Sequence, residues 1–468
     1  MAQIPILSGI YTDSQADYRT SYPVNMVPVP KGQGISAGYL RPADGIVEFV
    51  TTSGKCRGSV NWQDVAYFVT GNELVKVAQD GTKTVISPID DDGKPVAFAF
   101  SFDRLGIASA GKLYYLKDDV LAQVTDPDLG TVNDVVFLDG YFATTDGEFI
   151  AVAELNDPTS VNPLKYGSSE VDPDPVEALV VNRNELYAIN RYTIEVFTNV
   201  GGDFFPFARI NGAHIQKGAI GRDAVCVYNE ALAFVGSGRN EPPGVYLGEN
   251  SQTVKLSTRE IDQILSEYTE AQLESCYVEA RTDDGHKFLY IHLPDKTLVY
   301  DSAATLAMQE QIWHVLTSSN IGFSQYRARN FVWCYNKWLC GDPTANKIGY
   351  LVQTRSDHYG DAVRWEFGTM ITWTETGGAV VHELELIGLT GRTAFGADPK
   401  ISASYTQDGL TWSQDRTINA GKFGQRSKRL VWFQQGAFLN WRAYRFRGNS
   451  DAFISVARLE AKAEPLVR

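Results

Sequence analysis

The side chains that could do chemistry are spaced badly for it. Six histidines, His214, His286, His292, His314, His358 and His382, include no pair at a metal-ligand interval on a helix. His286 and His292 share one strand face, and six residues of extended chain hold them about 20 Å apart, too far to share an ion. The five cysteines, Cys56, Cys226, Cys276, Cys334 and Cys340, are odd in number and lack any CxxC spacing. They read as buried, reduced thiols of a protein made in the cytosol. There is no Gly-x-Ser-x-Gly elbow and no phosphate-cradling glycine loop. The expectation is a protein that is not an enzyme, with no cofactor and no metal.

Paired carboxylates could serve as the acid and base of glycoside hydrolysis, and Asp and Glu together number 56. The stretch TQDGLTW, 406–412, resembles the Asp-box hairpin of sialidases with one residue fewer between Asp and Thr. Even there the box is a structural turn, so an Asp-Gly hairpin with a packed Trp412 is expected. A propeller glycosidase or a carbohydrate-binding adhesin module is the alternative function that this turn and the many aromatics raise.

The strongest charge signal lies near the C-terminus. Residues 416–450 contain no Asp or Glu but eight basic side chains: Arg416, Lys422, Arg426, Lys428, Arg429, Arg442, Arg445 and Arg447. Tyr444 and Phe446 alternate with Arg445 and Arg447, so one strand face packs while the other presents guanidinium groups. The whole chain carries a formal −14, which argues against a general nucleic-acid binder. A basic face in such a chain points to a specific acidic partner or to DNA. Arg426, Lys428, Arg429, Arg442, Arg445 and Arg447 are therefore the candidate partner interface; a solvated sheet face balanced by neighbouring acids is the competing reading.

These residues need elements to hold them, and the elements are strands. Aromatics make up 12% of the chain, with 41 Gly, 19 Pro and only 4 Met, a strand-and-turn composition. In the hairpin 282–301, Phe288, Tyr290 and His292 face one side and Leu289, Ile291 and Leu293 the other. A strand apolar on both faces belongs inside a stack of sheets, and a tryptophan strand, 312–316, follows it. Units of an apolar strand, a tight turn and an aromatic strand start near 64, 96, 134, 176, 223, 282 and 329. That recurrence predicts an irregular β-propeller of six or seven blades over 51–355.

Three segments depart from the pattern. Residues 1–50 are rich in proline and glycine and read as an extended arm that lies on a neighbour or frays. Residues 257–275 open with Ser257 and Glu260 at capping-box spacing, and Thr269 and Gln272 repeat it, predicting two short helices inserted between blades. Their apolar stripe, Ile261, Ile264, Leu265 and Tyr268, must pack on the propeller rim or on a partner, and covering the chain's own core is the expectation. From 356 to 468, long alternating strands without helices predict a β-sandwich. The fold class is thus all-β. No signal peptide and no membrane span are read in the chain.

Taken together, YPVNM (22–26), GYLRPADGI (38–46), QKGAIG (216–221), REIDQILSEYT (259–269) and HLPDKTLVYD (292–301), with the closing Asp-Gly and basic strands, resemble a known family. It is that of the packaged-DNA-stabilisation proteins, or tail hubs, of short-tailed bacteriophages. The resemblance runs in order from about residue 15 to the C-terminus. It implies a virion protein, assembled in the host cytoplasm, that forms a six-fold ring beneath the portal adaptor. Such a ring retains genomic DNA without reading its sequence, carries the tail needle and tailspikes, and has no catalytic residues.

Overall fold

In a computed structural model the described residues are 2–12, 19–31, 36–155, 157–202, 204–249, 251–373 and 377–466. Part of the proline- and glycine-rich arm (1, 13–18 and 32–35) and the end of the strand expected over 362–375 lie outside them.

Seven antiparallel sheets follow one another: blades 1 to 7 cover 56–88, 97–123, 134–168, 176–209, 218–255, 277–316 and 329–352. Six run inner to outer in chain order. Blade 7 has only three strands of its own, and Gly45–Thr51 supplies its fourth. Strand registry between residues about 300 positions apart thereby closes the circle. The expected limit of the arm at residue 50 falls inside this strand.

Tight turns make the blades possible. Gln63-Asp64, Asp118-Asp119, Arg183-Asn184, Asn229-Glu230 and Tyr335-Asn336 all have both residues at positive φ. Paired left-handed residues match the right-handed twist of the flanking strands, which is why two residues suffice. Alternation then buries both faces of each blade. Phe288 and Tyr290 enter the core between blades 6 and 7, while Leu289 and Ile291 enter that between blades 5 and 6. Similar clusters fill every other gap around the ring.

Side chains on the inner strands stitch neighbours together. Asp134 of blade 3 accepts from the backbone of Leu179 in blade 4 at 2.8 Å, and Glu279 of blade 6 accepts from Asn330 and Phe331 of blade 7 at 3.0 and 2.8 Å. Ser59 of blade 1 donates to the Asn330 carbonyl at 2.7 Å.

The second body is a sandwich of two antiparallel sheets. One contains Ala379–Leu389, Leu430–Phe438 and Ser455–Pro465; the other contains Arg364–Gly368, Lys400–Thr406, Arg416–Asn419 and Trp441–Asn449. Trp365, Phe367, Leu384, Trp432, Tyr444 and Phe446 meet between them. The first sheet also takes in Ala2–Ile4, Met26–Pro30 and Gly38–Pro42. Described residues before 50, which the sequence reading sends to a neighbour or leaves frayed, are thus bound within the chain itself.

Helices α1 (Arg259–Ser266) and α2 (Glu270–Glu274) lie against blade 5 through Ile261, Leu265 and Leu273. The first cap is Thr258, one residue later than expected, because Ser257 turns inward to bind Asp262 at 2.5 Å and the Val245 N–H. A third helix, α3 (Ser302–Met308), escaped the sequence reading; Asp301 caps it.

Candidate partner-facing surfaces

The six basic residues singled out by sequence do not form one face. Arg442 is fully buried: its guanidinium donates to the carbonyls of Gln435 (2.8 Å) and Ala437 (2.7 Å) and lies 4.0 Å over the Tyr405 ring. It cannot meet a partner. Arg445 is half-buried and stacks 4.0 Å over Trp412, and burial holds its guanidinium below the usual arginine range. Arg447 pairs with Asp415 at 2.5 Å, and Arg429 is held by both oxygens of Glu385 at 2.8 and 2.7 Å. Only Arg426 and Lys428 are exposed with no side-chain partner. Glu385 and Asp415, the latter in the loop before Arg416–Asn419, thus neutralise two of the six.

Beside Arg426 and Lys428 stands a feature the sequence reading missed. The 390–399 and 420–429 loops bring Phe395, 91% exposed, and Phe423, 61% exposed, edge to face at 6.2 Å. The loops are tied by Thr390 donating to the Gln425 carbonyl (3.0 Å) and Gly424 to Gly391 (3.0 Å). Gly391 has φ +73 and sits against Gln425 where a Cβ would collide. Two phenylalanines in polar, glycine-rich loops were the available signal.

The motifs of the resemblance occupy joints. Val24 exchanges backbone hydrogen bonds with Glu366 of the sandwich (2.8 and 3.0 Å), and its neighbours Pro23 and Asn25 bond Val315 of blade 6 (both 2.8 Å). Asn25, buried at φ 51, donates to the carbonyls of Thr317 (2.9 Å) and Arg364 (2.7 Å) and accepts from Thr317 N–H (3.1 Å). From the next motif, Asp44 lies between Arg41 and Arg281, 2.7 Å from each, all largely buried. Burial alone would raise its pKa, but the two guanidinium groups, Arg281 foremost, hold it well below the usual carboxylate range. Gly218 and Gly221 press on the backbone near Asn190 and on Glu274, where no side chain fits.

At one mouth of the propeller bore is a cavity of about 880 Å³. Arg222 of blade 5 reaches across it to the carbonyls of Asn133 (3.1 Å) and Pro95 (2.6 Å), in front of blades 3 and 2. A bore that one side chain spans does not admit a nucleic-acid duplex.

Several of the histidines and cysteines are bonded or buried within the chain. His286 binds Asp301 (2.5 Å); His292 bridges Thr297 (3.0 Å) and Glu279 (2.9 Å). Burial pushes His314 and His358 down to about 3. It also pushes the Cys56 thiol up to about 11. The 406–412 turn is closed on itself, with Asp408 accepting from Leu410 (2.9 Å) and Thr411 (2.8 Å) N–H groups. Among the described residues no His, Cys, Asp or Glu cluster could hold a metal ion.

Comparison with known proteins agrees with this architecture. Residues 2–356 match the family described as "Bacteriophage P22 Gp10, beta-propeller", and residues 364–464 that described as "Bacteriophage P22 Gp10, beta-sandwich". The tail hub protein gp10 of Salmonella phage P22 is 26% identical over 486 residues, covering 99% of each chain. Among solved structures, the Neurospora crassa Pan2 WD40 domain is similar at 12% identity and a TM-score of 0.43, over 66% of this chain and 95% of that one. The N-terminal domain of Nup159 is similar at 10% identity and a TM-score of 0.41, over 71% of this chain and 99% of that one. Matched in order over its propeller and its sandwich, the chain belongs to the bacteriophage P22 Gp10 family.

Proposed function

We propose that this chain is the hub of a short phage tail, a non-enzymatic virion protein that closes the portal vertex after packaging. In this reading it binds the portal adaptor, retains the genome, and mounts the needle and tailspikes as a six-membered ring. The observation that carries it is the match to the P22 tail hub protein across 99% of both chains.

The architecture supports the reading in two ways. The propeller mouth is spanned by Arg222, so DNA travels between copies in a ring and not through one subunit. Residues 51–355 hold 40 acidic and 25 basic side chains, and a negative wall lets a duplex slide without sticking. The working bodies are the propeller to 355, with Gly45–Thr51 in its last blade, and the sandwich from 356, with the residues before Gly45 as the strap between them.

The test uses DNA-filled heads of the cognate phage that carry the adaptor but lack this chain. Purified protein should co-sediment with them at a fixed stoichiometry and stop DNA leakage. Leakage with no bound protein would remove the hub reading.

A further inference from the structure

Cations without partners and aromatics without cover occur together at one end of the sandwich, and their complement lies on the propeller. Residues 356–468 hold 14 basic and 12 acidic side chains, against the formal −15 of residues 51–355. At the sandwich tip, Phe395 and Phe423 project beside Arg426 and Lys428, on two loops braced against each other. The bracing means little ordering is needed on binding.

The complement is a cleft of about 740 Å³ between blades 1 and 2, on the face opposite the Arg222 mouth. Phe102, 94% exposed, gives it an apolar wall, seated over the largely buried rings of Trp62 and Tyr67. Trp62 and Gln63 fix that wall by donating to the carbonyls of Ser101 (3.1 Å) and Phe102 (2.9 Å). Asp119 and Asp103 of the cleft are paired with Lys76 and Lys117, but Asp64 and Asp118, on its two tight turns, have no ion partner.

We propose that the sandwich tip, Phe395 and Phe423 with Arg426 and Lys428, docks into this cleft on a second copy of the chain, with Asp64 and Asp118 receiving the cations. The aromatic pair leaves water against the Trp62–Phe102 wall, and the charges fix its orientation. Tip and cleft are different surfaces of one chain, so each bound copy offers its own cleft or tip to the next. Such contacts either close into a ring or run on as a filament. The inference rests on the hub reading for which of these forms.

Charge exchange tests it on the adaptor-bearing heads. The tip variant is Arg426→Glu with Lys428→Glu, and the cleft variant is Asp64→Lys with Asp118→Lys. Each alone should retain at least about tenfold fewer copies per head than the natural chain. An equal mixture should restore the full number, because in an alternating ring every reversed tip meets a reversed cleft. The chain carrying all four changes should also assemble. A Phe423→Cys and Phe102→Cys chain should form disulfide-linked multimers.

Retention of either variant at the natural level overturns the proposal. Loss that neither the mixture nor the fourfold variant repairs also overturns it, by assigning the tip to DNA or another virion protein. If the natural chain leaves the heads bare, the hub reading alone fails. Cross-linking of the cysteine chain in concentrated solution, lost in the tip variant and regained in the fourfold one, then decides the contact.

Discussion

Positive charge is used in opposite ways in the propeller and at the sandwich tip. Two propeller arginines are enclosed by acceptors: Arg57 donates to Lys94, Gly71 and Asp90 carbonyls, Asp92 and Ser109, while Arg281 meets Asp44, Asp283 and Tyr290. Arg426 and Lys428 meet no side chain or carbonyl with theirs. The first kind is architecture, because it satisfies acceptors inside the propeller: carbonyls around Arg57, side chains around Arg281. The second stands in water with no acceptor inside the chain. A count of basic residues along the sequence cannot separate the two; the acceptors around each one do.

Removing an enclosed charge breaks this contrast most severely. Asp44→Ala strands Arg41 and Arg281 in the interior with no carboxylate between them. A buried ion pair that loses one partner costs about 3–5 kcal/mol, far more than the pair itself contributes. The urea midpoint of the propeller transition should fall accordingly, and Asp44→Asn should recover little of it because the charge is still missing. A midpoint shift no larger than that of an exposed carboxylate would show that Arg281 is held by its other partners.

The joint comes next. Asn25→Ala removes three hydrogen bonds and leaves a left-handed backbone that alanine tolerates poorly. A loss of about 2–3 kcal/mol is expected, and because the bonds join blade 6 to the sandwich, it should appear as separation of one unfolding transition into two. Asn25→Gly relieves the backbone but not the hydrogen bonds, and should recover only a part. A single transition in both variants would place the coupling elsewhere in the strap.

How much of this could be read from sequence follows from the range of the interactions. The 282–301 hairpin was legible because alternation and turn residues are local. Closure of blade 7 by Gly45–Thr51 was not, because no local pattern marks a pairing across 300 residues. The burial of Arg442 was legible and overlooked: the alternation that turns Tyr444 and Phe446 inward turns Arg442 inward with them. The aromatic tip depends on two loops 28 residues apart meeting, which periodicity does not register.

Enclosed charge also titrates. Burial raises Asp134 to about 6, although Arg222 and the N–H groups of Leu179 and Val135 oppose the rise. The folded state therefore binds this proton more tightly than the unfolded chain, whose carboxyl titrates near 4. Its stabilising contribution is complete below pH 4 and is lost as pH rises through about 6, amounting to about 2–3 kcal/mol. Buried His314 and His358 work the other way, losing stability as pH falls below their ordinary value. The measurement is thus a difference: melting temperature from pH 4 to 8 for the natural chain minus that for Asp134→Asn. The difference should slope across pH 4–6 and be flat above 7; a flat difference throughout would mean that Asp134 stays ionised.

At the other end of the scale, Arg426→Ala with Lys428→Ala should leave the melting temperature of the isolated chain within measurement error. Neither side chain has an internal acceptor, and both stand in water at all times. Arg442→Ala, sixteen residues from Arg426 in the same basic run, should lower it clearly. It would orphan the carbonyls of Gln435 and Ala437 and open a gap beside Tyr405. If the double variant were destabilised as much as Arg442→Ala, the tip cations would belong to the architecture. Equal stability with altered assembly would mean that the same stretch of sequence supplies one arginine to the core and two cations to the outside, divided by strand parity and loop position.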